Sequence, residues 1–571
     1  MRHIITALAS LMCIGASTTT MATTTTVSLR LVETSDVHGC YFPYNFIERT
    51  PMAGSLARTC SYIKQLREEY GDRLILLENG DILQGQPTCY YTNYIDTLKP
   101  NIAAEIVNYM GYDATSIGNH DIEPGHAVYD KWMGEMECPA VGANIIDTST
   151  GEPYVKPYVI IEREGVRIAV MGLLTPAVPN WLNETIWSGL RFDDLKTSAA
   201  KWMDYIRDNE AADVVVGLFH TGWQGGIKTD DYCENAVEDI AKSVGGFDII
   251  FFGHDHQRRD TIVNGVVCLN PANNARAVAE ASVSLTIEDG KVVDKKIDGK
   301  VTNICDQEID IDYIEHFYAR INEVRDYVGK KIGVFADSML TRDCFFGSAP
   351  FTDFIHNMQL AITGADISLN APLSFDAKIK QGDLYMSDMF KLYRYENKMY
   401  VVRMTGAEVR RHLEMSYDQW VNTMQSADDH IMLIDKGDDG RYRFKNMTFN
   451  FDSAAGIDYE VDVTRPDGEK VRILRMSNGE EFREDKWYDV VMNSYRGNGG
   501  GELLTRGAGI PKEELQSRII FQSDLDQRYY LTREIEKAGT VTPAANNNWR
   551  FVPQEWAQPA IERDRILLFG E

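Results

Sequence analysis

The chain lacks any apolar run approaching the roughly 18–20 residues that cross a bilayer, which excludes a helical membrane span. None of its nine cysteines stands in a C-x-x-C pair, which argues against a dithiol redox site or a zinc ribbon. Basic residues are the minority, 58 Lys and Arg against 85 Asp and Glu for a formal charge of −27. A long nucleic acid as partner is therefore excluded, because such polyanions are gripped by stripes of Lys and Arg. The acidity itself asks for no partner beyond water, since net charge keeps a protein soluble. Internal repeats are missing, and the only low-complexity tract is the Thr-rich stretch 18–26. No signal for oligomeric state is present. What the chain has is 571 residues with 44% hydrophobic and 10% aromatic content, enough for two to four well-packed domains.

At the N-terminus, Arg2 and His3 precede the apolar run IITALASLMCIGA and the small, polar stretch STTTMATTTT. That order predicts a signal peptide over residues 1–22, cleaved near Ala22, and export to the periplasm or cell surface. Met12 stands where a lipobox needs a small residue before Cys13. Eight cysteines then remain, Cys40, Cys60, Cys89, Cys138, Cys233, Cys268, Cys305 and Cys344. An exported protein can pair them, and isolated buried thiols fit the sequence equally well.

The chemistry lies in five short segments, TSDVHG, ENGDILQG, IGNHD, LFHTG and FFGHDHQ, each closing an apolar run. In order they offer Asp36 and His38, Asp81, then Asn119, His120 and Asp121, then His220, then His254 and His256. Oxygen donors mixed with imidazoles, and no thiolate, suit divalent Mn, Fe, Co or Zn. One carboxylate shared by two ions would set them roughly 3.5–4 Å apart, the spacing of two-metal hydrolases.

The runs before these segments, VSLRLVE, RLILLE, ATSI, DVVVGLF and FDIIFF, read as strands of a sheet covered on both faces. Between the first two lies GSLARTCSYIKQLREEY, a helix with Leu56, Cys60, Ile63 and Leu66 on one stripe. Ligands at the C-terminal ends of neighbouring strands would meet in one crevice.

The ordered set D-x-H, G-D, G-N-H-D, H and G-H-D-H resembles the calcineurin-like metallophosphoesterases. The resemblance implies an α/β fold, a four-layer α/β/β/α sandwich, holding two divalent ions (Mn, Zn, Fe or Co). It implies one ion on Asp36, His38, Asp81 and His256, and the other on Asp81, Asn119, His220 and His254. A hydroxide between the ions would be the nucleophile, and His120 would assist the leaving group. Where related 5'-nucleotidases read GNHEFD this chain reads GNHDIE, so Glu123 stands in the place of the Asp that orients the catalytic His.

Residues 306–345 mark a boundary. IDYIEHFYARINEVRDYV is predicted as one helix with Ile314, Phe317, Ile321 and Val324 on a face, and GKKIGVFADSM as a new strand. The expected layout is a catalytic domain over 27–305, a linking helix over 306–328 and a second domain over 329–571. In that second domain, T-G-A-E at Thr405–Glu408 is a capping box opening a helix. Its blocks SAPFTDFIHNMQL, GDLYMSDMFKLYRYENKMYVVRM and VVMNSYRGNGGGELL resemble the α+β substrate domain of the periplasmic nucleotidases. That implies a nucleobase held between Tyr395 and Tyr495, with Asn397 and Gly499 at the substrate, and a small nucleotide as partner. Gly501 stands where the 5'-nucleotidases carry an Asp. LEMSYDQW, FNFDSAAGIDYEVDVTRP and GTVTPAANNNWRFVP look instead like the 2',3'-cyclic-nucleotide 2'-phosphodiesterase/3'-nucleotidase branch. The reading favoured is hydrolysis of 2',3'-cyclic nucleotides and 3'-nucleotides to nucleoside and phosphate, with a 5'-nucleotidase or UDP-sugar hydrolase as runner-up. A non-catalytic nucleotide-binding surface protein is the remote alternative, since it would lack ligands that are all present here.

Overall fold

A computed structural model describes residues 24–437 and 439–570. The predicted signal segment lies outside the described residues. In the N-terminal half, twelve strands form two sheets: β1 (Thr24–Thr34), β2 (Leu74–Glu78), β3 (Ala114–Ser116), β4 (Ala140–Val141), β5 (Tyr158–Arg163), β6 (Val166–Leu174), β7 (Val214–His220), β8 (Ile249–Phe252), β9 (Arg259–Val263), β10 (Val266–Asn270), β11 (Ala277–Glu288) and β12 (Lys291–Asn303). The first sheet runs β12-β11-β1-β2-β3-β4 and the second β9-β10-β8-β7-β6-β5. In the first, β1, β2, β3 and β4 are parallel and only the β11-β12 side is antiparallel; in the second, β6, β7, β8 and β10 are parallel and both edges, β5 and β9, are antiparallel. The last threonines of the Thr-rich tract join β1, where Thr24 pairs with Glu288.

Alternation of side chains along these strands builds the layers. Leu29, Leu31, Ile75 and Leu77 of one sheet meet Ile168, Val170, Val216, Leu218 and Phe251 of the other in a dry interior. On the outer face of the first sheet, Val32, Leu74 and Leu76 pack under α1 (Leu56–Tyr70) and α2 (Ile102–Met110). The outer face of the second, with Met171, Phe219, Ile250 and Phe252, packs under α3 (Leu195–Asn209) and α4 (Val237–Ser243). The result is the α/β/β/α sandwich that the resemblance implies, and the stripe of Leu56, Cys60, Ile63 and Leu66 is buried as its spacing predicts.

The predicted linking helix is two. Phe317, at φ −93° and ψ 10°, separates α5 (Ile311–His316) from α6 (Tyr318–Val328). Across the break Tyr313 and Phe317 still enter one core, rings 4.8 Å apart, beside Ile321 and Val324. Their spacing of four, four and three residues is that of one helix face, with Tyr313 rather than the expected Ile314 fully buried.

Beyond Lys331 a five-stranded sheet follows the order β15-β13-β16-β14-β17, built from β13 (Ile367–Asn370), β14 (Lys398–Thr405), β15 (Ser453–Ala455), β16 (Trp487–Asn493) and β17 (Ile519–Asp526). β14 ends in the predicted capping box: Thr405 Oγ1 accepts from Glu408 N at 3.3 Å and Glu408 Oε2 from Thr405 N at 2.8 Å, opening α7 (Gly406–Asp418). The two halves touch where Tyr90 donates to Asp526 at 2.8 Å, Arg528 lies 4.6 Å over the Tyr90 ring and Lys391 pairs with Glu48 at 2.8 Å.

All eight cysteines of the described chain are free thiols. Of the two readings open from sequence, this is the one the structure takes. Burial pushes the thiols of Cys40, Cys268 and Cys344 up to about 12, which keeps them unreactive at neutral pH. No helix among the described residues is long and apolar enough to cross a membrane.

Candidate metal centre

Asp36 follows β1, Asp81 follows β2, Asn119 follows β3, His220 ends β7 and His254 follows β8. The C-terminal ends of both sheets therefore face one seam, and there the structure brings the sequence-predicted donors together. Asp36, His38, Asp81 and His256 form one group, and Asp81, His220 and His254 a second, with donor atoms in each lying within 4.8 Å of one another. Asp81 belongs to both.

Within the first group His256 Nε2 lies 3.2 Å from Asp36 Oδ1 and 3.1 Å from His38 Nε2. Two imidazole nitrogens that close, next to a carboxylate, are what a shared cation arranges. In the second group His220 Nε2 approaches Asp81 Oδ2 at 3.2 Å yet makes no hydrogen bond, and Asn119 Oδ1 is likewise buried without a partner. A buried polar atom left unpaired costs about 1–3 kcal/mol. With His220 Nε2 turned to the Asp81 carboxylate and the donors of each group within reach of one point, the residues present fit divalent ions.

Backbone conformation sets these side chains. Asp36, His38, Asp81, His254 and His256 all have left-handed φ values, between 48° and 72°. Non-glycine residues persist there only where the surroundings impose it. Asp36 N donates to Gly80 O at 3.0 Å and His38 N to Asp81 O at 2.9 Å, so the first two ligand loops brace each other. Asp121 supplies the rest of the brace: its carboxylate accepts backbone N–H bonds from Asp81, Ile82, Leu83 and Gly118 at 2.7–2.9 Å. It is a clamp for the Asp81 loop, which explains an acid directly after His120.

The imidazoles are aimed by their remote nitrogens. His38 Nδ1 meets Gln84 O at 3.2 Å, His220 Nδ1 donates to Asn79 O at 2.6 Å, and the Asn273 amide sits 3.0 Å from His256 Nδ1. All three thus turn Nε2 inward. His254 is reversed, its Nε2 meeting Glu234 Oε1 at 3.1 Å.

Electrostatically the seam is dominated by buried carboxylates. Burial would raise Asp36, but His220 and His256 overcome it and hold the acid at about 2. His120 belongs to neither donor group. Its N–H donates to Asp81 Oδ1 at 2.8 Å and its ring Nδ1 lies 2.6 Å from Glu123 Oε2, so the Glu in the place of the usual Asp still reaches the ring. Burial opposes a charged His120, and Asp81 with Glu123 outweigh it, lifting the ring to about 9.

In the C-terminal half, Tyr495 is half-buried with its ring edge-on to Phe449, 6.1 Å away at 88°. Arg496 fixes both: it is buried, its guanidinium grips Asp452 at 2.8 and 3.0 Å, and it donates to Phe449 O at 3.0 Å. Tyr395 is also half-buried, with Arg394 6.0 Å over its ring and no ring contact with Tyr495 among the described residues. Asn397 is buried, accepting from Gln527 N at 2.8 Å, and Gly499 takes φ 99° in the turn after Tyr495. A Cβ at Gly501 would fall on Asn450 and Arg496, so no side chain fits at that position. Phe449, Glu234 and Asn273 escaped the sequence reading. Phe449 sits in the FNFDSAAG block, where alternation marks it only as one more strand-like aromatic.

Gly118 provides a direct check of this packing. Its φ of −95° suits any residue, but a Cβ would land on the Asp81 carboxylate. Gly118→Ala should therefore cost most of the bound metal, measured by elemental analysis after desalting, while the circular dichroism spectrum stays that of the parent.

Residues 29–258 match the calcineurin-like phosphoesterase family and residues 331–506 the 5'-nucleotidase C-terminal domain family. A 2',3'-cyclic-nucleotide 2'-phosphodiesterase/3'-nucleotidase of Yersinia enterocolitica is 28% identical over 95% of this chain and 91% of its own. A protein of the same name from Salmonella typhimurium is 26% identical over 92% of this chain and 89% of its own. The crystal structure of a Thermus thermophilus 5'-nucleotidase precursor covers 92% of this chain and all of its own, with a TM-score of 0.62 at 18% identity, which speaks to the fold alone. With both families matched in order along one chain, and the sandwich and donor cluster in place, this protein belongs to the calcineurin-like phosphoesterases that carry a 5'-nucleotidase C-terminal domain, and it is a phosphoric ester hydrolase.

Proposed function

We propose that the protein is an exported two-ion phosphohydrolase that opens ribonucleoside 2',3'-cyclic phosphates to 3'-nucleotides and then dephosphorylates these to nucleoside and phosphate. The observation that carries the proposal is the pair of donor groups meeting at Asp81. Asp36, His38, Asp81 and His256 would hold one ion, and Asp81, Asn119, His220 and His254 the other. When bound, such ions polarise phosphate oxygens and lower the pKa of water from 15.7 to about 7. Relatives with the matching name support the substrate class, and the segment over 1–22 supports export.

The chain's own residues handle the leaving group and the base. His120 borders the seam, with its side chain 30% exposed and its ring held by Glu123. A protonated ring is the form that donates to a departing oxygen, and the Glu123 carboxylate on Nδ1 favours that form. Residues 329–571 would bind the nucleoside, Tyr395 and Tyr495 offering faces to the base, Asn397 and Gly499 shaping the loop beneath. Stacking is worth about 1–3 kcal/mol per base and tolerates any base. The site would therefore accept all four nucleosides.

A panel of 2',3'-cAMP, 3'-AMP, 5'-AMP and UDP-glucose with Mn(II) tests the proposal. The first two should be the best substrates by kcat/KM; a clear preference for 5'-AMP or UDP-glucose would overturn the regiochemistry and favour the runner-up. His120→Asn should keep its metal and lose rate, and the loss should shrink for p-nitrophenyl esters, whose leaving group needs little acid. An equal loss across leaving groups would assign His120 to phosphate positioning instead. Tyr495→Ala should raise KM for nucleotides roughly five- to a hundredfold, the span of one lost stacking face. Hydrolysis of bis(p-nitrophenyl) phosphate, which carries no base, should stay within a few-fold of wild type; a parallel fall would make Tyr495 a packing residue.

A further inference from the structure

Of the four imidazoles in the donor groups, His254 is the one whose remote nitrogen meets an ionisable side chain. His38 and His220 lean on the backbone carbonyls of Gln84 and Asn79, and His256 on the Asn273 amide. Glu234, by contrast, comes from a small hairpin, Gly225–Lys228 paired with Cys233–Asn235, that projects beyond β7. Every contact of Glu234 fixes its carboxylate in place. Its backbone carbonyl accepts from Thr221 Oγ1 at 2.6 Å and from Thr175 Oγ1 at 3.1 Å. Carboxylate Oε2 accepts from Ile227 N at 2.6 Å, and Oε1 is then left for His254 Nε2 at 3.1 Å. Gly226, at φ 73°, lets the hairpin backbone curl around that carboxylate, since a Cβ there would strike Oε2. On the ring's other side Trp181 lies against His254, centroids 5.7 Å apart and planes at 35°.

We propose that Glu234 is a positioning residue for His254, holding the Nε2–H tautomer so that Nδ1 faces the ion shared with Asp81, Asn119 and His220. The inference rests on the two-ion reading above. Carboxylate–histidine–metal chains of this kind orient the ring and raise its basicity, and losing the outer partner typically lowers metal affinity 10–100-fold. Only a carboxylate serves both neighbours, because Ile227 N–H and His254 Nε2–H are both donors. A Gln could offer its single carbonyl oxygen to one of them and would press its NH₂ against the other.

Titration of the full-length, metal-stripped protein with Mn(II) tests this, followed by calorimetry and by the electron paramagnetic resonance signal of the spin-coupled pair. Glu234→Ala should weaken one ion roughly 10–100-fold and leave the other within about threefold of wild type, so that the coupled signal is lost at Mn(II) levels that saturate the parent. Glu234→Gln should fall between the two. If the Ala variant does not fold, Gln carries the test, and selective weakening of one ion is still the expected result. Two ions in wild type with unchanged affinities in the variants, or with both affinities reduced alike, overturn the role of Glu234 alone. A wild type that takes up a single ion overturns the two-ion reading, and this inference with it.

Discussion

The seam between the sheets buries Asp36, Asp81 and Asp121 with Glu33 and Glu78 close behind, and no Lys or Arg forms an ion pair with Asp36 or Asp81 among the described residues. Buried carboxylates without cationic partners are unfavourable by several kcal/mol each unless something else neutralises them. Much of the local architecture answers that problem. Asp121 spends its charge on four backbone N–H groups, while Glu33 and Glu78 are driven above the ordinary carboxyl range, largely by burial. Asp36 and Asp81 accept hydrogen bonds from Ser35 Oγ, His254 N and His120 N, and their only ionisable partners among the described residues are imidazoles, an arrangement that divalent cations satisfy directly.

That constraint also orders what the sequence made legible. A ligand at the end of an apolar run is readable because the run must be a buried strand and the next residue must leave the sheet; Asp36, Asp81, Asn119, His220 and His254 all obey this. The covering of the strands on both faces follows from the same runs, whereas the pairing of two sheets into four layers was implied only by the resemblance. The break at Phe317 was not readable, because Tyr313, Phe317, Ile321 and Val324 keep one helical periodicity across α5 and α6.

The supporting shell is the part that local pattern hides. Asp121 reads as the acid of a G-N-H-D motif, yet its carboxylate gathers N–H groups from Gly118 and from Asp81, Ile82 and Leu83 on a loop distant in sequence. Glu234 lies in a polar hairpin whose sequence, DDYCEN, carries no periodicity, and it acts on a residue twenty positions away through a fold-dependent turn at Gly226. Phe449 and Tyr495 approach one another because Arg496 reaches from the backbone of one to the carbonyl of the other, a link that no spacing rule expresses. Such residues act through contacts made only after the chain has folded.

The donors divide between the sheets: Asp36, His38, Asp81 and Asn119 leave the first, His220, His254 and His256 the second. On the two-ion reading proposed above, neither half alone offers the full set for either ion, so a chain with one sheet formed, or with the sheets out of alignment, would have no complete binding site. Ion uptake thus depends on finished assembly of the sandwich, and a half-built molecule is kept hydrolytically silent by geometry, with no separate inhibitory segment needed.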